Sequence, residues 1–187
     1  MIHRKNKKKD LEATVDEMRN FALSYVEKYA PSKQQLNTYL LKKYLSFGKS
    51  KVNRSSITDL IKIVLDDLEQ NKFINDKFYS NSKAKNLIQR GSSINKIRNY
   101  LIQKGINDKY IKETIENITN NNEDQDFFSA IKICKKKRIG PAREESNRSL
   151  FYKKDISLLA RNGFDFETSK KVMELLKDDY LKIIKLI

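Results

Sequence analysis

The stretch YLIQKGINDKYIKETIENI, Tyr100 to Ile118, has a pattern of apolar residues around a glycine that recurs later in the chain. It overlays LLARNGFDFETSKKVMELL, Leu158 to Leu176, without a gap, so that Gly105 falls on Gly163. In each copy an apolar stripe at helical spacing ends at the glycine, and a second stripe follows it. Glycine just past a helix end adopts the left-handed conformation that closes many helices. The stretch therefore predicts a helical hairpin that the chain uses more than once.

A more divergent copy lies upstream. SKQQLNTYLLKKY, residues 32–44, overlays SINKIRNYLIQKG, residues 93–105, with Tyr44 in the place of the glycine. The first copy must therefore turn differently. Only five Gly and two Pro interrupt the helical periodicity. We predict an all-α protein, an elongated, curved array of three tandem three-helix repeats in which each repeat mostly contacts its neighbours.

Capping signals predict where several helices begin. Ser32 with Gln35 and Ser56 with Asp59 each form a capping-box signature. Asn75 or Asp76 is expected to start the helix that ends at Gly91, and Ser92 or Ser93 the next one. The resulting prediction is a basic flexible leader (1–10), repeat 1 (11–72), repeat 2 (73–121) and repeat 3 with a C-terminal helical extension (122–187).

Charge is the strongest bulk signal in the composition. The 187 residues include 39 Lys and Arg against 24 Asp and Glu, which gives a formal net charge of +15. Such an excess attracts phosphate polymers or acidic protein surfaces. No apolar run is long enough to cross a bilayer, and the basic start lacks the apolar core of a signal peptide. We expect a cytoplasmic protein without a membrane partner.

The residue inventory argues against catalysis. His3 is the only histidine and lies in the basic leader, while Cys134 is the only cysteine and falls on an apolar stripe. The sequence has no cluster of metal ligands, no nucleotide-binding loop and no base that would activate the thiol. We expect no enzymatic activity, no catalytic residue, no metal and no cofactor.

Four stretches together carry a family resemblance: LEQNKFINDKFYSNS (68–82), RGSSINKIRNYLIQKGI (90–106), KKRIGPAR (136–143) and LLARNGFDFETSKKV (158–172). On these stretches the chain, over roughly residues 16 to 177, resembles the RecX family of regulators of the RecA recombinase. The resemblance implies three tandem three-helix repeats and a protein without enzymatic activity that binds RecA and its nucleoprotein filament. It also implies inhibition of filament growth, ATP hydrolysis, strand exchange and co-protease activity in recombination and DNA repair.

Basic side chains that lie off the apolar stripes are the candidate contacts to nucleic acid or filament. They are Arg90, Lys96, Arg98 and Lys104 in repeat 2, and Lys135, Lys136, Lys137, Arg138, Arg143 and Arg161 in repeat 3. Point charges neutralise phosphates without reading bases, so we expect binding to single- and double-stranded DNA without sequence specificity. We expect the chain to act as a monomer.

The aromatic residues divide into two groups. Tyr25, Tyr29, Phe127 and Phe164 fall on apolar stripes and are expected in the core. Tyr100 and Tyr110, near the basic hairpin, are the aromatic candidates for a contact.

Two other functions fit parts of the pattern. Capped helix pairs with a glycine corner also occur in helical DNA-binding transcription regulators, although those proteins do not need three similar modules in a row. A scaffold for acidic proteins that binds no nucleic acid is the third hypothesis.

Overall fold

In a computed structural model of the chain, residues 13–45 and 53–187 are described, and they form two compact units: unit 1 up to Asp76 and unit 2 from Lys77. The regular secondary structure of these residues is helical. The predicted leader, with His3, and most of the loop before Ser55 lie outside the described residues.

Unit 1 holds three helices: α1 (Val15–Tyr29), α2 (Lys33–Leu45) and α3 (Arg54–Gln70). Each helix contributes an apolar stripe to one core. The largest fully buried side chains are Met18, Leu36, Leu40, Ile57, Ile61, Val64 and Leu68. Tyr44, which replaces the glycine of the later repeats, is buried here, and its hydroxyl donates to Glu17 Oε2 at 3.2 Å.

The helix starts of unit 1 confirm one capping prediction and correct another. The Ser32 box is formed in both directions, because Gln35 N–H donates to Ser32 Oγ and Ser32 N–H donates to Gln35 Oε1, each at 3.2 Å. The prediction that Ser56 starts α3 is wrong. The helix begins at Arg54, and Asn53 Oδ1 accepts from the Ser55 N–H. Asparagine is among the strongest N-cap residues, so it starts the helix before Ser56 is reached.

Unit 2 holds the remaining helices, with α4 beginning at the unit boundary. They are α4 (Asp76–Gln89), α5 (Ile94–Gln103), α6 (Asp108–Asn121), α7 (Gln125–Lys137), α8 (Glu145–Arg161), α9 (Phe166–Met173) and α10 (Lys177–Ile184), with a 3-10 turn at Gly140–Ala142 before α8. Ser93 caps α5 as expected, since its Oγ accepts from the Lys96 N–H at 3.1 Å.

Two hydrophobic clusters form the interior of unit 2. One contains Ile97, Leu101, Ile106 and Ile111 from α4 to α6, and the other contains Ile131, Cys134, Leu159, Phe164 and Val172 from α7 to α10. The overlay of the two hairpins predicts that matched positions are buried alike in the two clusters. Leu101 and Leu159 are both fully buried, and the residues after the two glycines, Ile106 and Phe164, are both nearly so.

The overlay fails at its far end. Ile118 lies inside α6 and packs against its cluster, whereas α9 stops at Met173 and Leu176 is 69% exposed at the start of α10. Arg148 shows why α9 is shorter, because its Nη2 donates to the carbonyls of Met173 (2.6 Å) and Leu175 (2.8 Å) and so satisfies the end of the helix.

Candidate functional site

The C-terminal end of α7 presents the densest group of basic side chains. Lys135, Lys136, Lys137 and Arg138 are all exposed, while Cys134 just before them is buried. The helix ends because Arg138 takes the left-handed conformation (φ 54°), and the Ile139 N–H returns to the Cys134 carbonyl at 3.1 Å. Within the described ranges, none of the four cations forms an ion pair. Their charge is therefore available to a ligand.

The end of α4 lies beside this part of α7. A Cβ added to Gly91 would sit 3.0 Å from Lys132 Cβ and 3.0 Å from the Ser129 carbonyl oxygen, so the two elements touch through the glycine. Gln89 of α4 and three lysines of α7 line one surface depression of about 470 Å³. Arg90 is exposed and follows Gln89 directly in the chain, before Gly91.

We call this surface the basic face and define it by Arg90, Lys132, Lys135 and Lys136. Lys132 was not among the sequence candidates. Its spacing from Lys135 and Lys136 is three and four residues, which places all three on one side of a helix. That spacing was the signal from which it could have been found.

A second junction brings two more candidates together. Ser93 Oγ donates to the Asn162 carbonyl at 2.9 Å, and Lys96 Nζ donates to Asn162 Oδ1 at 3.2 Å. The start of α5 thus packs on the corner between α8 and α9, next to Arg161. Lys96 therefore contacts the residue that directly follows Arg161 in the chain.

Arg98 and Lys104 lie elsewhere on α5. Arg98 is half-exposed and close enough to Lys112 of α6 for the two charges to interact. The Lys104 Nζ lies 5.2 Å from the centroid of the Tyr100 ring, and the Tyr100 hydroxyl is 3.3 Å from that of Tyr79. The contacts described above for Arg98 and Lys104 are thus with α6 and α5, whereas the lysines of the basic face lie on α7.

Arg143 is held inside the protein by a buried carboxylate. Its Nε and Nη2 donate to the two oxygens of Asp155 at 2.7 and 2.9 Å, and its guanidinium lies 4.4 Å from the Phe151 ring centroid. Burial alone would raise the pKa of Asp155, but the bonds from Arg143 and the Gly140 N–H outweigh it and lower that pKa. The two Arg143 nitrogens that could bind a phosphate thus already donate to Asp155.

Three findings concern the thiol, metal binding and membranes. Burial raises the pKa of the Cys134 thiol to about 12, which keeps it protonated and unreactive at neutral pH. In the described part of the chain, no group of three His, Cys, Asp or Glu side chains is placed to hold a metal ion. Among the helices described above, none is long and apolar enough to cross a membrane.

Comparison with known proteins gives a consistent set of relatives. No protein-family model matches the chain. The regulatory protein RecX of Myxococcus xanthus (strain DK1622) is 31% identical over 160 residues, which cover 84% of this chain and 84% of that protein. The regulatory protein RecX of Clostridium perfringens (strain SM101 / Type A) is 24% identical over 165 residues, 88% of this chain and 71% of its own.

Solved structures show the fold. The crystal structure of RecX from Lactobacillus salivarius superposes with a TM-score of 0.59 at 18% identity, covering 92% of this chain and 97% of that one. A second crystal structure of a regulatory protein RecX gives the same TM-score and identity, over 86% and 74% of the two chains. The likeness confirms the all-helical architecture of three-helix repeats.

Proposed function

The chain belongs to the RecX family of regulatory proteins, and from this premise we propose that it binds RecA and the RecA nucleoprotein filament. It acts by binding, as a regulator and not as an enzyme. Bound to the filament, it restrains filament growth and so reduces ATP hydrolysis, strand exchange and co-protease activity. It works as a monomer in recombination and DNA repair.

The basic face is the observation that carries the DNA part of this proposal. Lys135 and Lys136 are exposed and form no ion pair with the described residues, and the exposed Arg90 directly follows Gln89, the last residue of α4, which lines the same depression. A filament on DNA carries a phosphate backbone, and lysines and arginines bind it by displacing its counterions. The affinity is therefore independent of sequence and falls steeply with salt.

We add to the proposed contacts Lys137 and Arg138 at the end of α7, and Lys96 and Arg161 at the junction between α5 and the corner of α8 and α9. Arg98 and Lys104 form a separate candidate patch on the α5 and α6 side. We leave Arg143 out of the proposed contacts, because releasing it would leave Asp155 buried with a charge and fewer partners.

Filament extension on single-stranded DNA, followed by light scattering, tests the proposal with a charge-reversed variant. Replacing Lys135 and Lys136 of the basic face, together with Arg138 just after them, with Glu should weaken the restraint on extension and flatten the salt dependence of DNA binding. The matched control replaces three exposed lysines outside the basic face, Lys62, Lys109 and Lys153, with Glu. It changes the net charge equally and should retain most of the restraint. Equal loss in both variants would show that net charge, and not the basic face, is responsible.

A further inference from the structure

Three tyrosine rings of unit 1 lie against one another between α1 and α2. Tyr25 stacks on Tyr39 with ring centroids 4.0 Å apart and planes 14° apart, and Tyr29 lies 4.7 Å from Tyr25 with its plane tilted by 46°. Tyr29 is the outer ring and is 54% exposed, so the expectation that it belongs to the core is wrong. The core of α1 consists of Met18 and Ala22, and Tyr29, the last residue of the helix, reaches beyond it.

Cations accompany these rings. Lys28 Nζ lies 5.2 Å from the Tyr29 centroid, and Lys43 Nζ lies 3.6 Å from the Phe21 centroid and 5.9 Å from that of Tyr39. The carboxylate of Glu27 is two positions away from both Tyr25 and Tyr29 along α1, and residues at that spacing do not face each other. The ring ladder is thus bordered by positive charge.

We infer that the ladder of Tyr39, Tyr25 and Tyr29 is a stacking platform for the unpaired bases of a single-stranded nucleic acid. A base on the exposed ring of Tyr29 continues the ladder, and Lys28, whose long side chain can turn away from the ring, neutralises an adjacent phosphate. Aromatic stacking with flanking cations is the general way in which proteins bind single strands without reading sequence.

The platform discriminates against duplexes for a geometric reason. Between the ends of a duplex the bases are stacked on each other and expose only their edges in the grooves, so they offer no face to Tyr29. The basic face of unit 2 contacts phosphates and accepts either form. This inference does not rest on the RecA proposal, since it concerns the chain and the nucleic acid alone.

The test measures binding of the full chain to oligo(dT) by fluorescence anisotropy at fixed salt and without RecA. Tyr29→Ala should weaken the affinity by about tenfold, and Tyr29→Phe should bind like wild type because it keeps the ring. The same Tyr29→Ala chain should bind a duplex, and a strand of abasic sugars of equal length, as wild type does. Phe166→Ala, which removes a ring that is 62% exposed in unit 2, should leave oligo(dT) binding unchanged.

Two results would overturn the inference. One is unchanged oligo(dT) affinity in Tyr29→Ala. The other is an equal loss on oligo(dT), the abasic strand and the duplex, which would mean that phosphate contacts alone were lost. Tyr29→Leu also removes the ring but keeps an apolar side chain at the end of α1. If Tyr29→Ala unfolds unit 1, the same measurements with Tyr29→Leu show whether the ring stacks on a base.

Discussion

At the scale of single residues, Asp155 fixes the path of the chain between α7 and α8. It is 1% exposed, and its oxygens accept from the Gly140 N–H and from two nitrogens of Arg143. Its pKa is lowered because these bonds outweigh the cost of burial. The sequence shows Arg143 as one more basic residue in a basic stretch, because nothing local marks a partner twelve positions further on.

Arg143→Ala should destabilise the protein by about 3 kcal/mol at neutral pH, because it leaves the Asp155 carboxylate buried without its counterion. The pKa of Asp155 is lower in the folded chain than in the unfolded chain. The ion pair therefore contributes its full stabilisation above the ordinary aspartate pKa, and this stabilisation is lost as the pH falls through the folded pKa. Urea unfolding of wild type and Arg143→Ala should therefore show a difference in stability that is full at neutral pH and shrinks as the pH falls below the ordinary aspartate pKa. An undiminished difference at acid pH would contradict the role of the ion pair.

Gly163 and Gly105 look equivalent in the sequence but differ in the structure. Both have positive φ, 88° and 70°. A Cβ on Gly163 would also meet Ser93 Oγ at 2.5 Å, whereas Gly105 is exposed. The interpretation of both glycines as simple helix ends therefore holds for Gly105, while Gly163 also permits close packing.

Gly105→Ala should cost about 1 kcal/mol from the left-handed backbone alone. Gly163→Ala should cost about 2 to 3 kcal/mol, because overpacking at Ser93 is added to the same strain. Thermal unfolding of the two variants gives the comparison. Equal shifts in Tm would mean that the contact with α5 has no energetic weight.

At the scale of elements, aspartates at the start of one helix cap another. Asp126, near the start of α7, accepts from the Ile94 N–H in the first turn of α5 at 2.8 Å. In unit 1, Asp76 accepts from the Lys33 N–H in the first turn of α2 at the same distance. Burial raises the pKa of both carboxyl groups. Single-helix capping rules do not predict such caps, because the donor and acceptor come from different elements.

Asp126→Ala should cost about 1 kcal/mol, the usual loss when a helix cap is removed. Asp126→Asn keeps an acceptor oxygen and should be as stable as wild type or slightly more so at neutral pH, because the raised pKa means that the folded state disfavours the ionised form. As the pH falls through that pKa, the stability of wild type increases relative to that of Asp126→Asn. Urea midpoints across this range provide the measurement, and an Asn variant as unstable as Ala would contradict the capping role.

At the scale of the whole molecule, the repeated hairpin determined how much could be predicted from sequence. The overlay of Leu101 with Leu159 and of Ile106 with Phe164 was correct, because burial of an apolar stripe is a local property of each repeat. The contact of Ser93 with Asn162 joins residues far apart in the chain, and no periodicity encodes it. The overlay of Ile118 with Leu176 failed for a related reason, since Arg148 from another helix helps to end α9.

The functional hypotheses are also separated at this scale. The relatives over most of the chain are RecX regulatory proteins, so the transcription regulator and the acidic-protein scaffold are not retained. The site residues, the repeat boundaries and the monomeric state remain predictions, as does the elongated, curved form of the array. The basic face and the tyrosine ladder divide the proposed nucleic-acid contacts into phosphate binding and base stacking.

Restraint of RecA filament growth by this chain is tested most simply through ATP hydrolysis. The measurement is the rate of hydrolysis by RecA as it assembles on single-stranded DNA with substoichiometric amounts of this chain. A regulator that binds the filament and restrains its growth affects many RecA subunits at once, so the rate should fall by more than the molar ratio of the chain to RecA. A rate and a filament extent that do not change at any ratio up to equimolar would contradict the proposed function.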